Sequence, residues 1–171
     1  MPKYDACTDL GFDERRASPG VAMALPGYRA VSEHGLFPSG IIPFGDDRVG
    51  VIRISGFEPQ GSPSVCYAAF RALHYSRDKP CDDKCQNRVF TWSYDRLTLA
   101  LEEQVRALSA AGATILLVDI TANGGGTEWA EAAARIVSPK ALTSETRGGV
   151  RGPHWACLLY TSDAADEEDS V

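Results

Sequence analysis

No stretch of this chain carries the roughly 20 consecutive apolar residues that a membrane-spanning helix needs, so no membrane span is expected. Lysine and arginine, 17 in all, gather into no patch or stripe, which removes nucleic acid and anionic membrane surfaces from the expected partners. Two nucleotide fingerprints are also missing. No lysine follows the glycines at 124–126, as a P-loop requires, and Trp129 stands where a dinucleotide motif beginning at Gly124 would place its third glycine. No serine sits in a Gly-x-Ser-x-Gly elbow, and neither an internal repeat nor a low-complexity segment is evident. A secretory leader is not visible either: Gly20 to Pro26 is too short, and Asp5, Asp9, Asp13 and Glu14 occupy the region where a leader wants positive charge. Either the parent is cytosolic or Met1 lies inside a longer frame, and the second is expected. Histidine is scarce, with only His34, His74 and His154, and none has a partner that spacing establishes. No cofactor and no metal are expected.

The composition that remains is ordinary for one globular domain, with 44% hydrophobic residues. The net charge of −6 is misleading, because Asp163, Asp166, Glu167, Glu168 and Asp169 all lie in the last fifteen residues while every Lys and Arg precedes them. Without that tail the charge falls to −1. The run from Cys157 to Glu167 resembles a reading frame through a transposon-end sequencing adapter, so 157–171 is set apart from the fold as an expected artefact. The natural frame is expected to continue differently after about Ala156.

Four cysteines precede the tail: Cys7, Cys66, Cys81 and Cys85. An even count fits two disulfides in an oxidising compartment, with three connectivities open. The charged segment from Asp78 to Arg88 reads as a loop in need of a staple, and Cys66 is expected to pair with Cys81 or Cys85. Free buried thiols are one alternative. Zinc is another, with His74, Cys81 and Cys85 as ligands, but a structural zinc site wants a fourth ligand and paired spacings that are absent here.

Residues 1–39 lack sustained periodicity and read as an irregular lead-in to a core at 40–156. Gly40 to Phe44 and Val49 to Ser55 read as a hairpin about a Gly-Asp-Asp-Arg turn, the second strand being apolar on both faces. Val65 to Leu73 reads as a short helix. From Tyr94 to Ala111, Leu97, Leu101, Val105 and Leu108 fall on one helical face, with Asp95 as N-cap and Gly112 as terminator. Thr114 to Ile120 is a near-continuous apolar run, the pattern of a strand covered on both faces. A glycine-rich loop follows, then a helix from Glu128 to Val137 that Pro139 closes, with Trp129 as a packing aromatic. The order predicts an α/β layered fold.

The chemistry-bearing stretch is Asp119-Ile-Thr-Ala-Asn-Gly-Gly-Gly126, at the carboxyl end of a strand and opening a helix, where open α/β sheets place ligands. Glycines permit positive φ and leave main-chain N–H groups accessible, a cradle for a phosphate, a carboxylate or a developing oxyanion. A turn that serves only tight strand-to-helix packing would look the same.

Leu117-Val-Asp-Ile-Thr-Ala-Asn-Gly-Gly-Gly126 resembles the strand-and-loop signature of the S41 serine peptidases, the tail-specific or C-terminal processing proteases. Val49-Gly-Val-Ile-Arg-Ile-Ser-Gly-Phe57 resembles an earlier strand of that family, and the likeness covers roughly Val49 to Leu142. It implies part of a ClpP/crotonase-type ββα core, a peptide or protein substrate, and a parent located in the periplasm or secreted. In the family the nucleophilic Ser and its general base lie after this loop, except for an upstream His base in tricorn-like members, so the parent is expected to be a serine peptidase and this chain alone inactive. The resemblance makes Gly125, with Gly124 or Gly126, the oxyanion-hole amide, gives Asn123 and Asp119 the shaping of the turn, and puts Asn123 and His154 on the substrate side. A tricorn-like parent would offer His34 as base. A PDZ-like domain is not recognisable. Two other functions remain open: a non-catalytic peptide-binding relative, and a phosphate- or nucleotide-binding α/β module.

Overall fold

The computed structural model describes residues 4–14, 21–33, 35–138 and 140–142. It divides into two compact units, Met1–Lys140 and Ala141–Val171, and only residues 141 and 142 of the second are among those described. His34, Pro139, His154 and the 157–171 tail lie outside the described residues.

The first unit is mixed α/β. Strand β1 (Arg29–Ser32) pairs antiparallel with β2 (Ser39–Phe44), and β2 forms the expected hairpin with β3 (Asp47–Arg53). Gly45, at φ 61°, turns that hairpin without the Cβ penalty that other residues carry in the left-handed region. β4 (Ile115–Asp119) then runs parallel to β3, giving the sheet order β1-β2-β3-β4. A parallel pair needs a long crossover. It is supplied by helices α2 (Pro63–Ala72) and α3 (Asp83–Ala110), while α1 (Ala6–Asp9) precedes the sheet and α4 (Trp129–Val137) follows β4.

The lead-in is less irregular than its sequence predicts, since it holds both α1 and β1. Neither is long enough to print a period: each is four residues. β1 is held by close approach, with the Tyr28 ring lying where a Cβ on Gly40 would come within 2.4 Å of it.

The long helix also begins earlier than expected. Asp82, not Asp95, caps it, accepting the Cys85 amide at 2.8 Å, so the supposed charged loop supplies the first turns of α3. The buried stripe runs back from Leu97 through Ser93 and Val89 to Cys85 at steps of four. Ser93 interrupts the apolar pattern in the sequence, but its hydroxyl donates to the Val89 carbonyl at 2.7 Å and is satisfied inside the helix.

At 28 residues α3 is about 42 Å long and serves two cores. Its carboxyl half packs Leu97, Leu101 and Leu108 against Ile52 and Ile54 of the β3 segment and Trp129 and Ala133 of α4. Its amino half packs Cys85 and Val89 against Ala6, Cys7 and Phe12, and against Cys66, Ala69 and Phe70 of α2. β3 is buried on both faces, as expected. β4 is not: it is an edge strand whose Leu116 and Val118 meet the core, while Ile115 and Leu117 are 46% and 40% exposed. The other face meets only the segment from Val21 to Leu25 near Asp119, and no α-helix among the described residues lies over it.

The cysteines form two disulfides with a different pairing from the one expected. Cys7 joins Cys66, and Cys81 joins Cys85. Cys66 faces α1 in the second core, whereas Cys81 and Cys85 straddle the start of α3, so neither of the latter is a thiolate available to zinc. The two bridges close loops of very different length, with sequence separations of 59 and 4. By chain-entropy arithmetic they constrain the unfolded state by about 4 and about 2 kcal/mol respectively. Replacing Cys7 and Cys66 together by Ala is therefore expected to cost roughly twice as much in denaturant unfolding as replacing Cys81 and Cys85. Equal losses would show that native packing, not loop closure, sets their worth.

Candidate functional site

The carboxyl ends of β3 and β4 lie side by side, Arg53 opposite Asp119 in register. Both are buried, at 3% and 5% exposure, so neither charge is supportable without the other. Arg53 Nη1 donates to the Asp119 main-chain carbonyl at 2.9 Å and stands 3.5 Å from the Asp119 carboxylate. Its Nη2 donates to the Thr121 carbonyl. Asp119 in turn accepts the amides of Thr121 at 2.9 Å and Ala22 at 3.1 Å. Burial pushes the Asp119 carboxyl up, but the Thr121 hydroxyl and amide, the Ala22 amide and the Arg53 guanidinium together outweigh it and hold the group below the usual carboxylate range. The sequence contained this signal: a charge at Ile52-Arg53-Ile54, in a strand apolar on both faces, must find a partner, and Asp119 ends the other apolar run.

The loop that follows is built on this clamp. Ala122 takes φ 53°, and the Asn123 amide returns to the Ile120 carbonyl at 3.0 Å. The Asn123 side chain donates to the Ile54 carbonyl at 3.1 Å and accepts the Gly125 amide at 2.8 Å. Asn123 thus spends its side chain inside the loop, not on a substrate. The expected oxyanion donor is also engaged: the Gly125 N–H points back at Asn123, a local turn that Asn two residues upstream makes available. No acceptor among the described residues takes the amides of Gly124 or Gly126.

The three glycines differ in need. Gly124 has no positive φ and open space at its Cβ position, while Gly125 takes φ 107°. Gly126, at φ 148°, lies against Phe57, whose carbonyl carbon would be 2.7 Å from an added Cβ. Here the loop pairs with the segment after β3. The Phe57 amide donates to the Gly125 carbonyl at 3.0 Å, and the Phe57 carbonyl accepts the Thr127 amide at 3.2 Å and hydroxyl at 2.9 Å. Trp129 anchors the far end by stacking on Phe37 and donating its indole N–H to Thr98 at 3.0 Å.

Between these segments opens a cleft of about 570 Å³. Its lining includes Gly124, Gly125 and Gly126 with Ser55, Glu58 and Ser62, over an apolar floor of Leu36, Phe37 and Leu97. Among the described residues its lining includes no His, Lys or Arg. His74 is exposed at the end of α2 and lines neither this cleft nor its neighbour. Ser55, Glu58 and Ser62 carry no motif of their own, and only their place on the loops opposite the glycines brings them here. Comparison with protein-family models, curated proteins and solved structures finds no match to this chain.

Two expectations follow. Gly126→Ala should lose roughly 1–3 kcal/mol or more, because it combines positive φ with the Phe57 contact, whereas Gly124→Ala should stay within about 0.5 kcal/mol. Similar losses at both positions in urea unfolding would mean that the loop is held by something other than the Phe57 pairing. For Asp119, the folded state binds its proton more weakly than the unfolded state, where an Asp titrates near about 3.9. Its contribution to stability is present above that value and lost as the pH falls through the lower folded one. Asp119→Asn should flatten this acid limb and cost about 3–5 kcal/mol at neutral pH by stranding Arg53; an unchanged acid limb would assign it to other carboxylates.

Proposed function

We propose that this chain carries the carbonyl-binding half of a serine-peptidase site of the S41 type, with Gly124 and Gly126 as the main-chain donors and the nucleophile and base supplied by other parts of the protein. The observation that carries the reading is that Gly124 and Gly126, whose amides meet no acceptor among the described residues, are exposed and line a cleft of about 570 Å³ on a loop that a buried ion pair holds in place. The order hairpin, helix, parallel strand, glycine loop, helix supports a ββα core of the ClpP/crotonase type for the parent. The two disulfides support an oxidising compartment for it.

Charge separates this reading from phosphate binding. Among the described residues no cation lines the cleft, so that lining offers a multiply charged phosphate nothing to neutralise its charge. A peptide carbonyl is neutral until attacked. As its oxygen gains charge, N–H donors fixed beforehand strengthen their bonds without reorganising, and one such donor is typically worth about 10²- to 10³-fold in kcat. A non-catalytic peptide-binding relative is the second reading. It draws on the same cleft and is favoured by a lining that, among the described residues, offers the hydroxyls of Ser55 and Ser62 with no histidine or lysine to activate them.

The purified chain is expected to hydrolyse no peptide above background while capped peptides shift the amide resonances of Gly124 and Gly126. ATP and inorganic phosphate should leave its melting temperature unchanged, since only a ligand of the native state raises it. Turnover that follows the chain through purification and is blocked by a fluorophosphonate would bring the nucleophile into this chain. A melting temperature that rises with ATP would favour the phosphate reading instead.

A further inference from the structure

The cleft beside the glycine loop does not end at Ser62. A second cavity, of about 390 Å³, shares Leu36, Gly61 and Ser62 with it as a common wall. This second cavity runs along α2 and α3, where its lining includes Ser64, Val65, Ala68, Trp92 and Arg96. Trp92 and Arg96 are one helical turn apart on α3, and Leu97, the next residue, floors the first cleft. The same helix face therefore continues from one cavity into the other. At their junction Gly61 contributes no side chain, and a Cβ placed there would meet no atom within 4 Å.

We propose that the two cavities are one groove for an extended peptide, with the Gly124 and Gly126 amides taking main-chain carbonyl at one end and Trp92 selecting a large apolar or aromatic side chain at the other. The proposal rests on the peptide reading of the loop cleft and adds to it where specificity is read. Extended peptides fit such a groove because main-chain groups bind at fixed points while side chains enter pockets along the way. Charge at the far end is balanced. Among the described residues its lining carries one cation, Arg96, and one carboxylate, Glu14, so the Trp92 face and not a net charge discriminates there.

The test titrates the full chain with two capped peptides, an alanine tripeptide and an octapeptide of the same composition carrying one phenylalanine near an end, and follows the Gly124 and Gly126 amides and the Trp92 indole by NMR. The octapeptide should move all three resonances and bind roughly ten-fold tighter, while the tripeptide should move only the glycines. Ser64→Trp fills the far cavity from an exposed position on the first turn of α2. It should abolish the ten-fold gain and leave the tripeptide titration as it was; Ala68→Phe, which fills the same cavity from the next turn of α2, should do the same. An octapeptide that binds no tighter than the tripeptide, or whose affinity survives both fillings, overturns the groove while the loop reading stands. If neither peptide shifts the glycine amides, the loop reading fails and the groove with it.

Discussion

The contact on which the rest depends is the buried pair of Arg53 and Asp119. Two adjacent parallel strands end on opposite charges in register, and each charge then recruits main-chain groups: three carbonyls for the guanidinium, two amides for the carboxylate. Such a pair is tolerable inside a protein only when polar groups engage both charges, and here those groups belong to the segments that must be held still. The Ala22 amide ties in the lead-in, Ile54 the segment leaving β3, and Thr121 the first residues of the glycine loop. Folding the pair therefore folds the site.

The loop's local geometry follows from that anchorage. With Ile54 and Thr121 fixed, Asn123 can span from the Ile54 carbonyl to the Gly125 amide, and Phe57 can lie flat against Gly126. Gly125 turns its amide inward to close the turn, which leaves its neighbours to present theirs. The division of labour is steric and electronic at once: Gly126 is required by contact, Gly125 by its dihedral, and Gly124 by neither.

How much of this was legible in the sequence depended on the range of the interaction. Elements set by local pattern were readable: the hairpin about Gly45, the helix beginning near Val65, the β4 run and the helix opening at Trp129. The glycine loop was readable as a main-chain cradle because its residue types and its place after an apolar strand say so. What spacing could not supply was pairing across the fold. Cys66 lies nearer in sequence to Cys81 than to Cys7, yet α1 docks beside α2 and decides the partner. Ser93 hid the amino half of α3 by breaking an apolar stripe with a hydroxyl that the helix itself satisfies. The engagement of the Gly125 amide was within reach of local reasoning, since an Asn two residues before a glycine commonly folds back on it.

β4 carries a consequence of a different kind. Its outer edge pairs with no strand among the described residues, and the sequence along it is Ile-Leu-Leu-Val, without the lysine, proline or bulge by which exposed sheet edges normally refuse company. An apolar edge with open N–H and C=O groups is a template, and any extended chain that meets it gains hydrogen bonds and buried surface together. Copies of the same protein carry the same edge, so among the described residues β4 is the strand at which pairing between molecules would begin.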